Sequence, residues 1–161
     1  MRKKLGYIWA TMLGVGYFPV ASGTAGSLAT IPFAFLLAYY WGFYGIIFGV
    51  LITFFTGTFA SKEVLKYTKH DPSIIVIDET AGQLLTFALV ADFLQGNSYS
   101  HVLWIYALGF GLFRLFDITK PQPAKWADSK VLNAWGVMLD DIFAGIYAAI
   151  CLYLLKKFLL F

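Results

Sequence analysis

The sequence predicts an all-α, polytopic membrane bundle, and three observations predict it. Of 161 residues, 60% are hydrophobic and only 13% are charged, where soluble domains average about 25% charged. Mean hydropathy is +0.72, and aromatic residues make up 19% of the chain. The charges are also collected into a few segments that separate apolar runs, as expected of loops between membrane helices.

The elements follow in order. Met1-Arg2-Lys3-Lys4 precedes a mostly apolar run, Leu5 to Phe18. A basic start followed by an apolar run is the outline of a secretory signal. The interrupting glycines and Pro19 favour a short interfacial or half-inserted helix over residues 1–24 instead. Leu28 to Ala60 carries no charge. At 1.5 Å per residue this run would reach about 50 Å, too long for a hydrocarbon core of about 30 Å. Trp41-Gly42 offers a turn, giving spans at about 25–40 and 43–60. The segment from Ser61 to Asp71, with Lys62, Glu63, Lys66, Lys69 and Asp71, leaves the membrane. A third span is expected at 78–93, closed by the polar turn Gln95-Gly96-Asn97-Ser98. A fourth is expected at 101–117, ended by Pro121, which cannot continue a helix. A basic loop holds Lys120, Lys125 and Lys130, with Trp126 and Trp135 as interfacial anchors. The fifth span covers 137–155. The whole reads as one integral membrane domain, 1–161.

Five spans fix a sidedness. The side of the N-terminus receives Arg2, Lys3, Lys4, Lys62, Lys66, Lys69, Arg114, Lys120, Lys125 and Lys130, and the other side receives only Lys156 and Lys157. Positive loops stay in the cytoplasm, so the basic side is the cytoplasmic one. Every acid except Asp92 falls at or near it.

Three acidic constellations meet on that face: Asp78-Glu79, Asp117 between Arg114 and Lys120, and Asp140-Asp141. Arg114, Asp117 and Lys120 recur every three residues, which on a helix sets them on neighbouring turns of one face. A capped helix end with an internal ion pair explains that spacing alone. Ionisable groups in a membrane cost about 2.5–3.5 kcal/mol each on insertion scales, so they face a wet or paired interior. Adjacent carboxylates repel, and either share a proton or recruit a cation. Ala81-Gly82 and Ala144-Gly145 allow close helix approach and would bring the two acid pairs together. Oxygen-only ligands suit Mg²⁺, which keeps waters and shares phosphate oxygens with its substrate.

The same residues exclude other chemistries. His70 and His101 read as non-ligands, which disfavours zinc. Cys151, the single cysteine, has no arginine after it, and no Walker-type Gly-Lys-Ser/Thr loop occurs. Asp128 reads as a solvated charge. The run Ser22-Gly23-Thr24-Ala25-Gly26-Ser27 precedes the first span. It is either a flexible loop with Thr24 or Ser27 as helix cap, or an anion site of free N–H groups and hydroxyls.

Together, Gly23-Thr24-Ala25-Gly26-Ser27-Leu28, Ile77-Asp78-Glu79 with Gly82, Arg114-Leu115-Phe116-Asp117 with Lys120-Pro121, and Asp140-Asp141 with Ala144-Gly145 resemble the phosphatidylglycerophosphatase A family. The blocks occur in family order from about residue 14 to 150. The resemblance implies Mg²⁺-dependent hydrolysis of phosphatidylglycerophosphate to phosphatidylglycerol, at the cytoplasmic face of a bacterial inner membrane. Asp78, Glu79, Asp117, Asp140 and Asp141 are then expected to be catalytic and metal-binding, and Thr24, Ser27, Arg114 and Lys120 to bind the substrate. The partners expected are the phospholipid and the bilayer, with no nucleic acid; the small-residue faces permit a homodimer. The alternatives are a phosphatase of another lipid phosphate, a transporter, and a structural membrane protein.

Overall fold

The computed structural model describes residues 2–68, 72–96 and 99–160. His70 and Asp71, and Asn97-Ser98 of the expected polar turn, lie outside the described residues. Every regular element among those described is helical: α1 (Arg2–Ala10), α2 (Ser22–Leu65), α3 (Ile77–Thr86), α4 (Ala91–Gly96), α5 (Tyr99–Thr119), α6 (Ala124–Lys130) and α7 (Ala134–Leu155). Short 3₁₀ turns, Val15–Tyr17 and Ala88–Val90, link α1 to α2 and α3 to α4, and a π-helical turn, Lys156–Leu160, ends the chain's last helix.

α2 is long enough to need a break, and it breaks at Gly42 (φ 55, ψ −141), a backbone conformation that glycine tolerates and other residues avoid. The chain reverses there. A Cβ on Gly45 would lie 2.6 Å from the Leu37 carbonyl oxygen, and one on Gly49 would lie 2.6 Å from Leu37 Cδ1. In a straight helix those residues would stand about 12 and 18 Å apart. α2 is therefore a hairpin of two arms, 22–41 and 43–65. Gln95 caps the turn, donating from Nε2 to the Ala38 carbonyl at 2.9 Å, which satisfies one of the acceptors left free at a helix end.

The third span expected over 78–93 is not one helix. α3 stops at Thr86, a 3₁₀ turn follows, and α4 resumes at Ala91. The interruption sits beside Thr86, whose hydroxyl donates to the Gly82 carbonyl at 3.0 Å, a local bond that bends helices. Phe87 then turns inward, fully buried against Tyr106 with ring centroids 4.8 Å apart.

This broken element is the centre of the bundle. α3 packs on α2 and α7, and α7 packs on α5 and α6. The core around it combines Ala34, Ile46, Val50, Leu84, Phe87, Ile105 and Leu152. The outer surface is apolar too: Tyr44, Phe59, Leu103 and Trp104 are all mostly exposed. Three helices, Ser22–Leu65, His101–Thr119 and Ala134–Phe158, are long and apolar enough to cross a membrane. α1 is tied into the bundle: the Trp9 indole donates to Thr56 Oγ1 at 2.8 Å, and the Val76 N–H donates to the Ala10 carbonyl at 2.9 Å.

Candidate active site

The charged residues predicted from the sequence meet at one end of the bundle. α3 begins at Ile77, which puts Asp78 and Glu79 in its first turn, where the helix dipole favours a carboxylate. Asp140 and Asp141 lie two turns inside α7. The helices cross at two glycines: a Cβ on Gly145 would stand 2.5 Å from the Gly82 carbonyl oxygen, and one on Gly82 would stand 2.5 Å from the carbonyl of Asp141. Backbone therefore touches backbone one turn from each acid pair, and the pairs converge.

The two pairs are built alike. Asp78 Oδ1 accepts from the Glu79 N–H at 3.0 Å, and Asp140 Oδ1 accepts from the Asp141 N–H at 3.0 Å. The leading acid of each pair is turned back on its own chain. Carboxylate oxygens of Asp78, Glu79 and Asp141 come within 4.8 Å of one another, close enough to share one cation. Glu79 Oε2 is buried without a hydrogen-bond partner. An unpaired buried carboxylate oxygen is costly, and a cation there would relieve it. Oxygen donors alone, from three carboxylates, fit a hard divalent ion.

α5 supplies the cations. Arg114 Nη1 pairs with Asp117 Oδ2 at 2.6 Å, the ion pair expected from the three-residue spacing, while Arg114 Nε is buried without a partner. α5 ends at Thr119, and Lys120 takes a left-handed conformation (φ 43) ahead of Pro121. That turn ends the helix and leaves Lys120 in the same cavity wall as Arg114 and Asp117. Its ammonium bridges Asp140 Oδ2 at 2.7 Å and Asp128 Oδ1 at 2.6 Å. Burial disfavours the charged ammonium, but the hydrogen bonds and charges of Asp128 and Asp140 outweigh it and hold the lysine above its ordinary pKa.

These groups line a cavity of about 210 Å³ with Ala21, Ser22, Gly23, Ser73 and Ile75. Asp78, Glu79, Asp117, Asp140, Asp141, Arg114 and Lys120 are all in its wall. Gly23 keeps this wall open: a Cβ there would displace Glu79 Oε1 and come within 3.3 Å of Arg114 Nη1.

The Gly-Ser-Thr run differs from expectation. It is the first turn of α2, which starts at Ser22 with Ala21 as its cap and no side-chain capping bond, so neither Thr24 nor Ser27 caps the helix. Thr24 lines a separate apolar groove, not the acidic cavity. Ser27 is buried; its hydroxyl donates to the Gly23 carbonyl at 2.9 Å and receives Arg114 Nη1 at 3.4 Å, so it props the arginine from behind. Asp128, expected as a solvated charge, is instead the second partner of Lys120. No spacing signal marked it, because α6 folds back onto α7 from a loop. Cys151 and His101 are not in the cavity wall.

The fold and site define a class: a helical, apolar-surfaced protein with a carboxylate-rich pocket walled by an arginine and a lysine. The family model for phosphatidylglycerophosphatase A matches residues 8–156, and the chain belongs to that family. It is 36% identical over 149 residues to phosphatidylglycerophosphatase A of Escherichia coli, covering 91% of this chain and 81% of the relative. It is 32% identical over 155 residues to the protein of the same name in Haemophilus influenzae, covering 96% and 90%. It is also 33% identical over 150 residues to a putative phosphatidylinositol-3-phosphatase of Bacteroides thetaiotaomicron, covering 87% and 86%. No solved structure matches.

Proposed function

We propose that the protein hydrolyses the terminal phosphate of phosphatidylglycerophosphate in a Mg²⁺-dependent reaction, releasing phosphatidylglycerol and inorganic phosphate. The observation that carries this reading is the pairing, in one cavity wall, of an orphaned carboxylate oxygen on Glu79 with an orphaned donor on Arg114. One asks for a cation and the other for an anion.

Asp78, Glu79 and Asp141 would hold the metal. When bound, Mg²⁺ supplies charge neutralisation and Lewis-acid polarisation at the phosphoryl group. Arg114 is held by Asp117 and Ser27, and its guanidinium would meet a phosphate oxygen in a charge-assisted contact. The N–H groups of Ser22 and Gly23 open α2 without intrahelical acceptors and add donors on the same wall. Lys120, fixed between Asp128 and Asp140, lends positive charge to the rim. A water oxygen forms the new bond to phosphorus as the ester P–O bond breaks. Asp117 takes the water proton on the oxygen that Arg114 does not hold and passes it to the departing alkoxide, which leaves as the alcohol of phosphatidylglycerol. We place the cavity at the cytoplasmic face of a bacterial inner membrane, because Lys62 and Lys66 at the end of α2 meet Leu132 and Asn133, just ahead of α7, at that end of the bundle, and positive loops stay in the cytoplasm.

The test is phosphate release by purified protein in detergent, with Mg²⁺ or with EDTA. Release with Mg²⁺, and loss both in EDTA and in Glu79→Gln, is the expected result. Release unaffected by EDTA would reject the metal. A second reading, a phosphoinositide substrate, is favoured by the Bacteroides relative; faster release from phosphatidylinositol phosphate than from phosphatidylglycerophosphate would select it.

A further inference from the structure

A second cavity adjoins the first. It is an open groove of about 400 Å³ lined by Phe18, Val20, Ala21, Thr24, Ala25, Leu28 and Ala29. Ala21 belongs to both cavities. It sits in a left-handed conformation (φ 51, ψ 55) where the chain turns into α2. On one side of that turn Ser22 and Gly23 face the acids, and on the other Thr24, Ala25 and Leu28 face the groove. Ala21, Ala25 and Ala29 repeat every four residues and so share one helix face. They give the groove a shallow floor, while Phe18, Val20 and Leu28, each more than half exposed, give it walls.

We propose that this groove seats the upper part of one acyl chain of the lipid whose phosphate occupies the acidic cavity. The inference rests on the lipid-phosphatase reading. A phosphomonoester held by Arg114 must send the rest of its molecule out of the cavity. Most of the remaining wall is charged or belongs to the packed helices α3, α5 and α7. The edge at Ala21 opens onto a surface that is nearly all hydrocarbon. Only an apolar, unbranched segment matches a floor of alanines. Hydrocarbon gains little by leaving lipid for such a groove, since lipid tails are as apolar as its walls. The groove therefore does not drive binding. It orients the lipid, holding the phosphorus at one position relative to the acids, and orientation is a large source of rate.

The experiment compares two substrates, dioleoyl phosphatidylglycerophosphate in mixed micelles and its deacylated, water-soluble counterpart. Three variants are measured: Ala25→Phe and Ala29→Phe, which fill the groove, and Phe59→Trp, which adds bulk on an exposed apolar face elsewhere. Filling the groove is expected to lower kcat/KM on the dioleoyl lipid about tenfold or more, with less than about a twofold change on the deacylated substrate, because only the tethered chain loses its seat. Phe59→Trp should change neither. Equal losses on both substrates in Ala25→Phe and in Ala29→Phe, one turn farther from the cavity, would overturn the proposal, as would no loss on the dioleoyl lipid. No phosphate release from either substrate by the unaltered protein would instead overturn the phosphatase reading itself.

Discussion

Arg114 and Lys120 carry the same charge, stand six residues apart and line the same cavity, yet they are held in opposite ways. Arg114 lies within α5, and its fork is only partly used: Nη1 meets Asp117 and Ser27, while Nε has no partner. Lys120 lies past the helix end and is clamped between two carboxylates. A planar guanidinium can be anchored on one edge and still offer another, whereas an ammonium is a point charge. The first is a group with binding capacity in reserve. The second is largely committed to joining α6 and α7. Equal formal charge in one pocket therefore does not mean equal roles.

Four substitutions would break or sharpen this contrast. The largest effect is expected from Arg114→Gln, which removes the donor with spare capacity and should lower kcat about 10²–10³-fold, as the loss of one preorganised donor typically does. Arg114→Lys should restore little, since a point charge cannot hold Asp117 and a phosphate oxygen with one fork. Rescue to near the unaltered rate would show that charge alone matters there. Lys120→Met should act mainly on stability, costing about 2 kcal/mol by removing the charged hydrogen bond to buried Asp140, read as a lowered Tm in detergent with most of kcat retained. Because the folded pKa of Lys120 is raised, its contribution is complete below the unfolded lysine pKa. The stability gap to Lys120→Met should therefore stay constant from neutral pH up to about pH 10 and close only above it. A gap closing between pH 7 and 9 would contradict the clamp. The smallest effect is expected from Asp128→Asn, about 1 kcal/mol or less, because the ion pair it breaks is partly exposed and screened by water. A loss of kcat as large as that of Arg114→Gln would move Asp128 into the chemistry.

The all-α class was legible because apolar runs, charged breaks and Trp41-Gly42 are properties of the chain itself. The meeting of Asp78-Glu79 with Asp140-Asp141 was also legible, since each pair carries its own glycine one turn away. Other features were not, for local reasons. The break between α3 and α4 has no proline or glycine to announce it; it comes from a threonine bonding back to its own helix and from Phe87 packing inward. Thr24 falls outside the cavity wall because α2 starts at Ser22 rather than near residue 25. Successive residues of a helix point about 100° apart, so the neighbour of a cavity residue faces elsewhere. Lys120 shares the cavity wall with Arg114 and Asp117, as its spacing predicted, but its pairing with Asp128 and Asp140 was not legible, because those acids come from other helices. Asp128 acquired its role from tertiary folding alone.

The contact between Gly82 and Gly145 has a mechanical meaning. These two meet through main chain, with no rotamer available to absorb a displacement. The crossing acts as a stiff pivot. Displacement at the outer ends of α3 and α7 is therefore least able to alter the spacing of the acids one turn from the crossing. The carboxylate-rich cavity thereby acquires a fixed gauge length.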